Sequence, residues 1–251
     1  MAVSIDRVYQ KVLTFANKEQ RGYITPQEFN LFAHQAQMEI FEQYFYDINQ
    51  WTRQHGNDSE YSDMLTNLQE KIDDFNTVIS PNVTGVKGVI YIEQEIPNLY
   101  KIGRIDVDYA SEPGSSMGLG KIAAEYHTYH ENIEYGNSPL TTWTKKRPIY
   151  NRFVNQSGDK ILKIRPYPQD GVDTIQIFYT RKPNNPNWNY MVINDKALYN
   201  STNSQDFELH PSEESELVYR ILAYAGIAIE KPQLTQMAAG LEQAKVQQEK
   251  Q

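Results

Sequence analysis

Residues 17–28 have the spacing of a calcium-binding loop, with Gly22 in the sixth place and Glu28 in the twelfth. The fifth ligand place holds Arg21, whose positive charge opposes a divalent cation. Glu28 also lies three residues after Thr25, and a proline follows Thr25 directly, which is the pattern of a helix capping box. The segment therefore favours the start of a helix over a calcium site.

Residues 114–121 are similar to a phosphate-binding loop because the segment is rich in glycine and a glycine directly precedes Lys121. Three features oppose this interpretation: a serine occupies the place of the motif's first glycine, Ile122 stands where a magnesium-binding Ser or Thr is needed, and no βαβ unit is predicted around the loop. The Gly/Ser-rich segment from 112 to 120 is better interpreted as an exposed, mobile loop. The Pro/Asn-rich segment 182–189 is interpreted in the same way.

Four potential metal ligands fall close together in the sequence, namely His127, His130, Glu131 and Glu134. On a helix they would share one face and could hold a metal ion. The stretch 126–135 fits a strand equally well, and a strand would place these side chains on two faces. The sequence does not single out a metal site here.

Catalytic patterns are weak throughout the chain. There is no cysteine, which excludes disulfides, thiolate metal ligands and cysteine nucleophiles. No Gly-x-Ser-x-Gly motif occurs, and no carboxylate pair stands out. We therefore expect a protein that is not an enzyme and that uses no cofactor or metal.

Charge is uneven along an acidic chain of net charge -8. This balance argues against a sequence-specific reader of duplex DNA, which normally presents a basic face. The middle of the chain is slightly basic and predicts a possible DNA-facing patch, formed by Lys145, Lys146, Arg147, Arg152, Lys163 and Arg165. The alternative interpretation is that these side chains are ordinary solvated residues of strands and turns.

Aromatic residues are abundant, with 18 tyrosines and, in the predicted sheet region and its loops, Trp143 and Trp188. Such rings can stack on sugars, so a glycan- or receptor-binding module is an alternative function. Aromatic side chains also fill sheet cores and protein interfaces, which is the more common use.

Hydrophobic periodicity predicts an α+β fold. Apolar residues at helical spacing indicate helices over 4–17, from 26 onward and around 64–75. Short β-branched and aromatic runs then predict a central, mainly antiparallel β sandwich or small barrel. A last helix opens near Pro211, and a polar, helix-prone extended arm follows. We accordingly expect a helical bundle at 1–80, a β domain at 81–210, and a C-terminal helix and arm at 211–251, with the helical parts packed together.

No apolar run approaches the length of a membrane helix, and the first ten residues lack the features of a signal peptide. The expectation is a soluble chain that is not exported.

Three segments of the chain carry a resemblance to a known family. The first is VYQKVL at 8–13 continuing through NKEQRGYITPQEFN at 17–30. The second is ILKIRPYP at 161–168 followed by IFYTRKP at 177–183. The third is the closing helix from Glu213 with its KPQL break at 231–234. Together these segments resemble the head-to-tail connector proteins of short-tailed bacteriophages, which are the adaptor, or tail-tubular-A-like, ring proteins beneath the portal, including the ring proteins of crAss-like phages.

The resemblance implies a non-enzymatic virion protein of the tail or neck, made in the host cytoplasm. It implies a homo-oligomeric ring of about twelve copies on the portal, in contact with other tail and ring proteins and without a membrane. Packaged DNA would pass through the lumen without sequence-specific contacts. In this family the C-terminal segment commonly grips the portal, which here points to Met237, Leu241, Ala244 and Val246 as portal or neighbour contacts.

An acidic ring suits a DNA conduit, because a lumen that bound phosphates tightly would hold a genome that must slide. The opposite arrangement, with the basic stretch 145–182 facing inward, would instead slow the DNA after packaging. Both arrangements are compatible with the sequence.

Overall fold

The computed structural model describes residues 3–18, 24–53, 59–81, 88–109, 120–169, 172–194, 196–228 and 240. The chain divides into two compact units. The helical unit comprises Met1–Asp74 and Pro183–Gln251, and the β unit is the continuous segment Phe75–Lys182. Residues 183–210, which the sequence grouped with the strands, therefore belong with the helices.

The described part of the chain follows an α+β order, as predicted. The helices are α1 (Ile5–Lys18), α2 (Pro26–Arg53), α3 (Ser59–Asp73), α4 (Ile92–Glu95), α5 (Tyr129–Gly136) and α6 (Glu214–Ala228). The strands are β1 (Asn76–Ile79), β2 (Val89–Tyr91), β3 (Leu99–Asp108), β4 (Lys121–Ala123), β5 (Glu125–Tyr126), β6 (Ile149–Val154), β7 (Lys160–Arg165), β8 (Thr174–Arg181), β9 (Tyr190–Ile193) and β10 (Lys196–Tyr199). Short 3-10 helices cover Ser201–Asn203 and Pro211–Glu213.

In the helical unit, the C-terminal helix packs against the N-terminal ones. Helix α6 lies on α1 and α2, and α2 also contacts α3. The apolar positions that predicted these helices are the ones that become buried, because a 3.6-residue period places them on one face. They include Ile5, Val8 and Val12 of α1, Phe29, Ala33, Ala36 and Ile40 of α2, and Leu217, Val218 and Ile221 of α6.

Helix α2 begins at the predicted capping box. The backbone N–H of Thr25 donates to Glu28 Oε2 at 2.9 Å, and the N–H of Glu28 donates to Thr25 Oγ1 at 3.3 Å. These exchanges satisfy two backbone donors that a helix start otherwise leaves without partners. The backbone and hydroxyl hydrogen bonds from Thr25 also lower the pKa of Glu28.

A buried polar network joins α6 to α2. The guanidinium of Arg220 donates to Glu216 Oε1 at 2.7 Å, to Glu39 Oε2 at 3.2 Å, and to Gln43. Burial, together with a hydrogen bond to Glu39, raises the pKa of Tyr224 to about 12. Because the partners lie on two helices, the network fixes how α6 and α2 are aligned along each other.

The β unit consists of two four-stranded sheets. Sheet I has the order β1-β8-β3-β4 and is antiparallel throughout. Sheet II has the order β2-β7-β6-β5, with β5 and β6 parallel and the other pairs antiparallel. The prediction of a mainly antiparallel sheet region is confirmed, with this one parallel pair as the exception.

One hydrophobic core is shared by the two sheets. Sheet I supplies Ile102, Ile105, Val107, Ile175, Ile177 and Tyr179, while sheet II supplies Ile90, Tyr150, Leu162 and Ile164. Only Ala124 separates β4 in sheet I from β5 in sheet II. The chain therefore passes directly from one sheet to the other along a shared edge, which is a sandwich arrangement closed on one side.

The segment 182–189, which the sequence predicts to be an exposed and mobile loop, is instead held by buried side chains and hydrogen bonds. Pro183, Pro186 and Trp188 are buried, and Trp188 accepts and donates backbone hydrogen bonds with Asn30. The backbone N–H of Asn184 donates to Glu208. The segment is extended and fixed, because its prolines are buried and Asn184 is hydrogen-bonded to Glu208.

Candidate functional site

Two of the predicted basic residues lie side by side on strand β7. Lys163 and Arg165 alternate with Leu162 and Ile164, which point into the core shared by the sheets. Side chains two residues apart on a strand share a face. The two cations therefore lie on the face of sheet II that is turned away from that core.

Arg165 is held by aromatic and polar neighbours. Its guanidinium carbon lies 4.6 Å from the ring centre of Trp143 and 6.0 Å from that of Tyr167. Its Nη1 donates to Oδ1 of the buried Asn132 at 3.3 Å. Lys163 lies over Tyr167 at 5.5 Å. We call these five residues the basic–aromatic array; its cations are oriented by rings.

Helix α5 positions the array from one side. It begins with a second capping box, in which the N–H of Thr128 donates to Glu131 Oε2 at 2.8 Å and the N–H of Glu131 donates to Thr128 Oγ1 at 3.4 Å. The hydrogen bonds that the backbone N–H and the hydroxyl of Thr128 donate to the Glu131 carboxylate lower the pKa of Glu131. At its end, a Cβ added to Gly136 would lie 2.7 Å from the ring of Trp143. Glycine is therefore what allows the indole to reach Arg165.

The other predicted basic residues are distributed elsewhere. Arg152 pairs with Leu162 in register, which puts it on the opposite face of sheet II, and its guanidinium lies 5.3 Å from the ring centre of Tyr126. Arg147 forms an ion pair with Glu125 at 3.2 Å. Lys145 and Lys146 occupy the turn before β6. The structure brings together Lys163 and Arg165 but does not unite all six residues in one patch.

The segment 126–135, which contains four potential metal ligands and which the sequence left open between helix and strand, is partly helical. His130, Glu131 and Glu134 lie in α5, while His127 precedes it. Glu131 accepts the hydrogen bonds of the capping box. Among the residues that the structure describes, no group of three or more His, Asp or Glu side chains could hold a metal ion.

A second surface, not predicted from the sequence, is the two-stranded hairpin β9–β10. Asn194, which follows β9 directly, adopts a φ of 50°, a conformation found in tight hairpin turns. Its side chains are apolar and exposed: Met191 by 51%, Val192 by 66%, Ile193 by 50% and Leu198 by 48%. The Asn-Asp pair between apolar runs was the signal that could have revealed it.

The root of the hairpin is fixed to the helical unit by aromatic rings. Trp188 is buried, and its ring stacks with Tyr190 at 5.7 Å and Tyr199 at 5.9 Å. The same indole packs on Tyr9 at 4.2 Å and donates from Nε1 to Asp6 Oδ1 at 3.0 Å. A rigid base thus supports an exposed apolar tip.

Three sequence predictions fall largely outside the described residues. The proposed contacts Met237, Leu241, Ala244 and Val246 belong to this group, as do positions 19–23 of the calcium-like loop and positions 114–119 of the phosphate-loop-like segment.

No protein-family model matches this chain, and no curated protein sequence matches it significantly. Of the helices described above, none has both the length and the apolar character needed to cross a membrane.

Proposed function

We propose that this protein is a non-enzymatic virion structural protein, a head-to-tail connector subunit that joins the portal to the tail in a homo-oligomeric ring. The single observation that carries the proposal is the hairpin β9–β10, which exposes apolar side chains on a rigid base. Contiguous exposed apolar surface of this kind marks an interface with another protein. The resemblance of segments 8–30, 161–183 and 213–234 to connector proteins supports this kind of assembly.

The basic–aromatic array supports a place beside DNA within that assembly. Lys163 and Arg165 offer positive charge that does not depend on base sequence, and charge contacts of this kind weaken steeply with salt. An acidic chain with one small basic array would bind DNA weakly and allow it to slide. Salt-dependent binding of assembled rings to duplex DNA, with a steep slope, would contradict a smooth conduit.

The deciding experiment is electron microscopy of the purified protein, alone and mixed with the portal encoded in the same genome. We expect coaxial rings on the portal. Failure to form rings in either sample would remove the connector proposal.

The same assay tests the proposed C-terminal contacts. Leu241→Asp together with Val246→Asp is expected to abolish portal binding, because charged groups do not fit an apolar interface. The matched control is Gln243→Asp with Gln247→Asp, which introduces the same charge at polar positions and should leave binding intact. Equal loss in both variants would show that charge, and not apolar contact, is responsible.

A glycan-binding function is the second candidate, favoured by exposed aromatic rings on the β unit. Tyr129 is 60% exposed, and Tyr135 and Tyr167 are also accessible. Planar rings of this kind can stack on sugars. Glycan-array binding that is lost in Tyr167→Ala and retained in Tyr46→Ala, an exposed tyrosine of α2, would support it. Failure to bind any glycan on the glycan array would exclude this alternative.

A further inference from the structure

We propose that the apolar hairpin of one copy packs on the outer face of sheet I of the next copy, as the head-to-tail contact between subunits. The inference rests on the proposed function and specifies its subunit interface. On the hairpin, Met191 and Leu198 are directly opposed in register, and Ile193 is two residues from Met191. The three residues therefore share one face of the hairpin, on which Lys196 is the register partner of Ile193.

The outer face of sheet I has a matching apolar centre. Val78 of β1 and Phe178 of β8 are opposed in register and are 52% and 36% exposed. They line an open groove of about 360 Å³. At the groove, a Cβ on Gly103 would lie 3.3 Å from the Phe178 carbonyl oxygen, so the glycine allows β3 and β8 to approach closely there.

Polar groups surround that centre and already form hydrogen bonds and ion pairs within the sheet. Thr180 Oγ1 donates to Asn76 Oδ1 at 2.9 Å, and Arg104 pairs with Asp106 at 2.5 Å. An apolar centre with a hydrogen-bonded polar rim is the usual anatomy of a protein interface. A flat two-stranded hairpin fits such a surface, because sheets pack face to face.

Charge selects a second copy of the chain in a head-to-tail arrangement. The helical unit, which carries the hairpin, holds 21 acidic and 11 basic residues, whereas the β unit holds 11 acidic and 13 basic residues. Two hairpins facing each other would bring together two strongly acidic units. Hairpin against β unit instead joins opposite net charges, which favours association and the correct partner.

The contact area explains why assembly needs a platform. A four-residue strand is about 13 Å long and two strands are about 10 Å across, so one hairpin face covers on the order of 130 Å². Stable pairs bury about 800 Å² per partner. The contact alone is therefore weak, and it becomes effective when a platform such as the portal holds copies side by side.

The test uses the absence of natural cysteines. A chain with Ile193→Cys and Val78→Cys is treated with a short bismaleimide, with and without the portal. We expect a ladder of dimers, trimers and larger species, increased on the order of 100-fold by the portal. High salt should reduce the yield obtained without the portal, because it screens the attraction between the units.

Three controls identify the partner surface. Each single-cysteine chain should give no ladder, and a mixture of the two single-cysteine chains should give only dimers. Leu31→Cys with Val78→Cys, which places a thiol on an equally accessible helical position, should not cross-link. Dimers from Ile193→Cys alone would show hairpin-to-hairpin pairing and overturn the inference.

The outcome separates this inference from the connector proposal. Rings on the portal without Ile193–Val78 cross-links would refute the hairpin contact and leave the connector function standing. Cross-linked ladders without portal binding would refute the connector function and leave the hairpin contact standing. Circular dichroism of each variant confirms that the exposed substitutions leave the fold intact.

Discussion

Trp188 shows how one side chain can connect sequence-distant parts of the helical unit. Its indole packs against Tyr9 of α1, donates to Asp6, and supports the hairpin through Tyr190 and Tyr199. A buried aromatic ring of this size contributes by area and by specific ring geometry. Trp188 therefore contributes to the position of the hairpin from outside it.

We expect Trp188→Ala to lower the free energy of unfolding by about 3–5 kcal/mol, since it leaves a large cavity and an unmatched Asp6 carboxylate. Trp188→Phe should cost less, because a ring remains to stack on Tyr190 and Tyr199. Urea denaturation measures both values. A loss below about 1 kcal/mol for Trp188→Ala would contradict the role assigned to the indole.

The capping carboxylate Glu28 makes stability depend on pH. Its pKa is lowered in the folded state, so its contribution is complete above the ordinary carboxyl pKa and is lost as the pH falls through the lowered value. In Glu28→Gln the melting temperature should therefore fall less between neutral and acidic pH than in the unsubstituted protein. Differential scanning calorimetry across this range tests the sign.

The second capping box provides the matched comparison. Glu131 also has a lowered pKa for the same reason, but it belongs to α5 in the β unit. Glu131→Gln should reduce the pH dependence of the β unit and leave that of the helical unit unchanged. An identical effect of both substitutions on both units would argue against local capping.

At the scale of elements, the alignment of α6 on α2 depends on the buried network around Arg220. Glu216 and Arg220 are one helical turn apart on α6, and Glu39 and Gln43 are one turn apart on α2. Buried ions need full pairing, because a single uncompensated charge in the interior is costly.

Arg220→Leu should therefore destabilise the protein by about 3–5 kcal/mol, because it removes the guanidinium that pairs with the buried Glu216 carboxylate. Adding Glu216→Leu should recover much of that loss, since an apolar pair of similar volume tolerates burial. A double-mutant cycle by chemical denaturation gives the coupling. Additive losses would mean that the two residues act independently.

A smaller, local effect on stability is expected at the hairpin turn. Asn194 has positive φ, which alanine adopts at a cost of roughly 1 kcal/mol and glycine adopts readily. Asn194→Ala should increase hydrogen exchange in β9 and β10, whereas Asn194→Gly should not. Equal exchange in the two variants would show that the turn conformation does not limit the hairpin.

Most elements were predictable because their periodicity is simple. Helices α1 and α2 follow from apolar spacing and the capping box, and strands β7 and β8 from β-branched runs. The hairpin β9–β10 was missed because three consecutive apolar residues, Met191 to Ile193, lack the alternation of a half-buried strand. Only the structure shows that Met191, Val192, Ile193 and Leu198 stay exposed in the described part of the chain.

The basic–aromatic array was predictable only in part. Alternation along a strand places Lys163 and Arg165 on one face, as sequence alone allows. The position of Arg152 depends on its register with Leu162, which is set by a turn and by the opposite strand. The contribution of Trp143 depends on Gly136 and on the capped helix α5, and no local pattern encodes that approach.

At the scale of the whole molecule, the β unit is a continuous insert whose two ends meet. The N–H of Arg181 donates to the carbonyl oxygen of Phe75 at 2.9 Å, next to the β1–β8 ladder. Its core draws on both sheets, and its boundaries coincide with this pairing. Such a segment has what an independent domain requires.

We expect the isolated fragment 75–182 to fold. Its amide signals in a heteronuclear NMR spectrum should overlay those of the β unit in the full chain, apart from residues near the ends. The fragment with Ile105→Asp, which places a charge in the shared core, is the unfolded control. A collapsed, poorly dispersed spectrum for the unsubstituted fragment would show that the β unit needs the rest of the chain.

Because its two ends meet at Phe75 and Arg181, the β unit can be exchanged as one segment. One uninterrupted stretch of the sequence forms the whole β unit, and the two flanking stretches form the helical unit. Exchange of that stretch would replace the basic–aromatic array and leave the hairpin in place. Under the proposed head-to-tail contact, the hairpin and the outer face of sheet I must change together, whereas the array can diversify on its own.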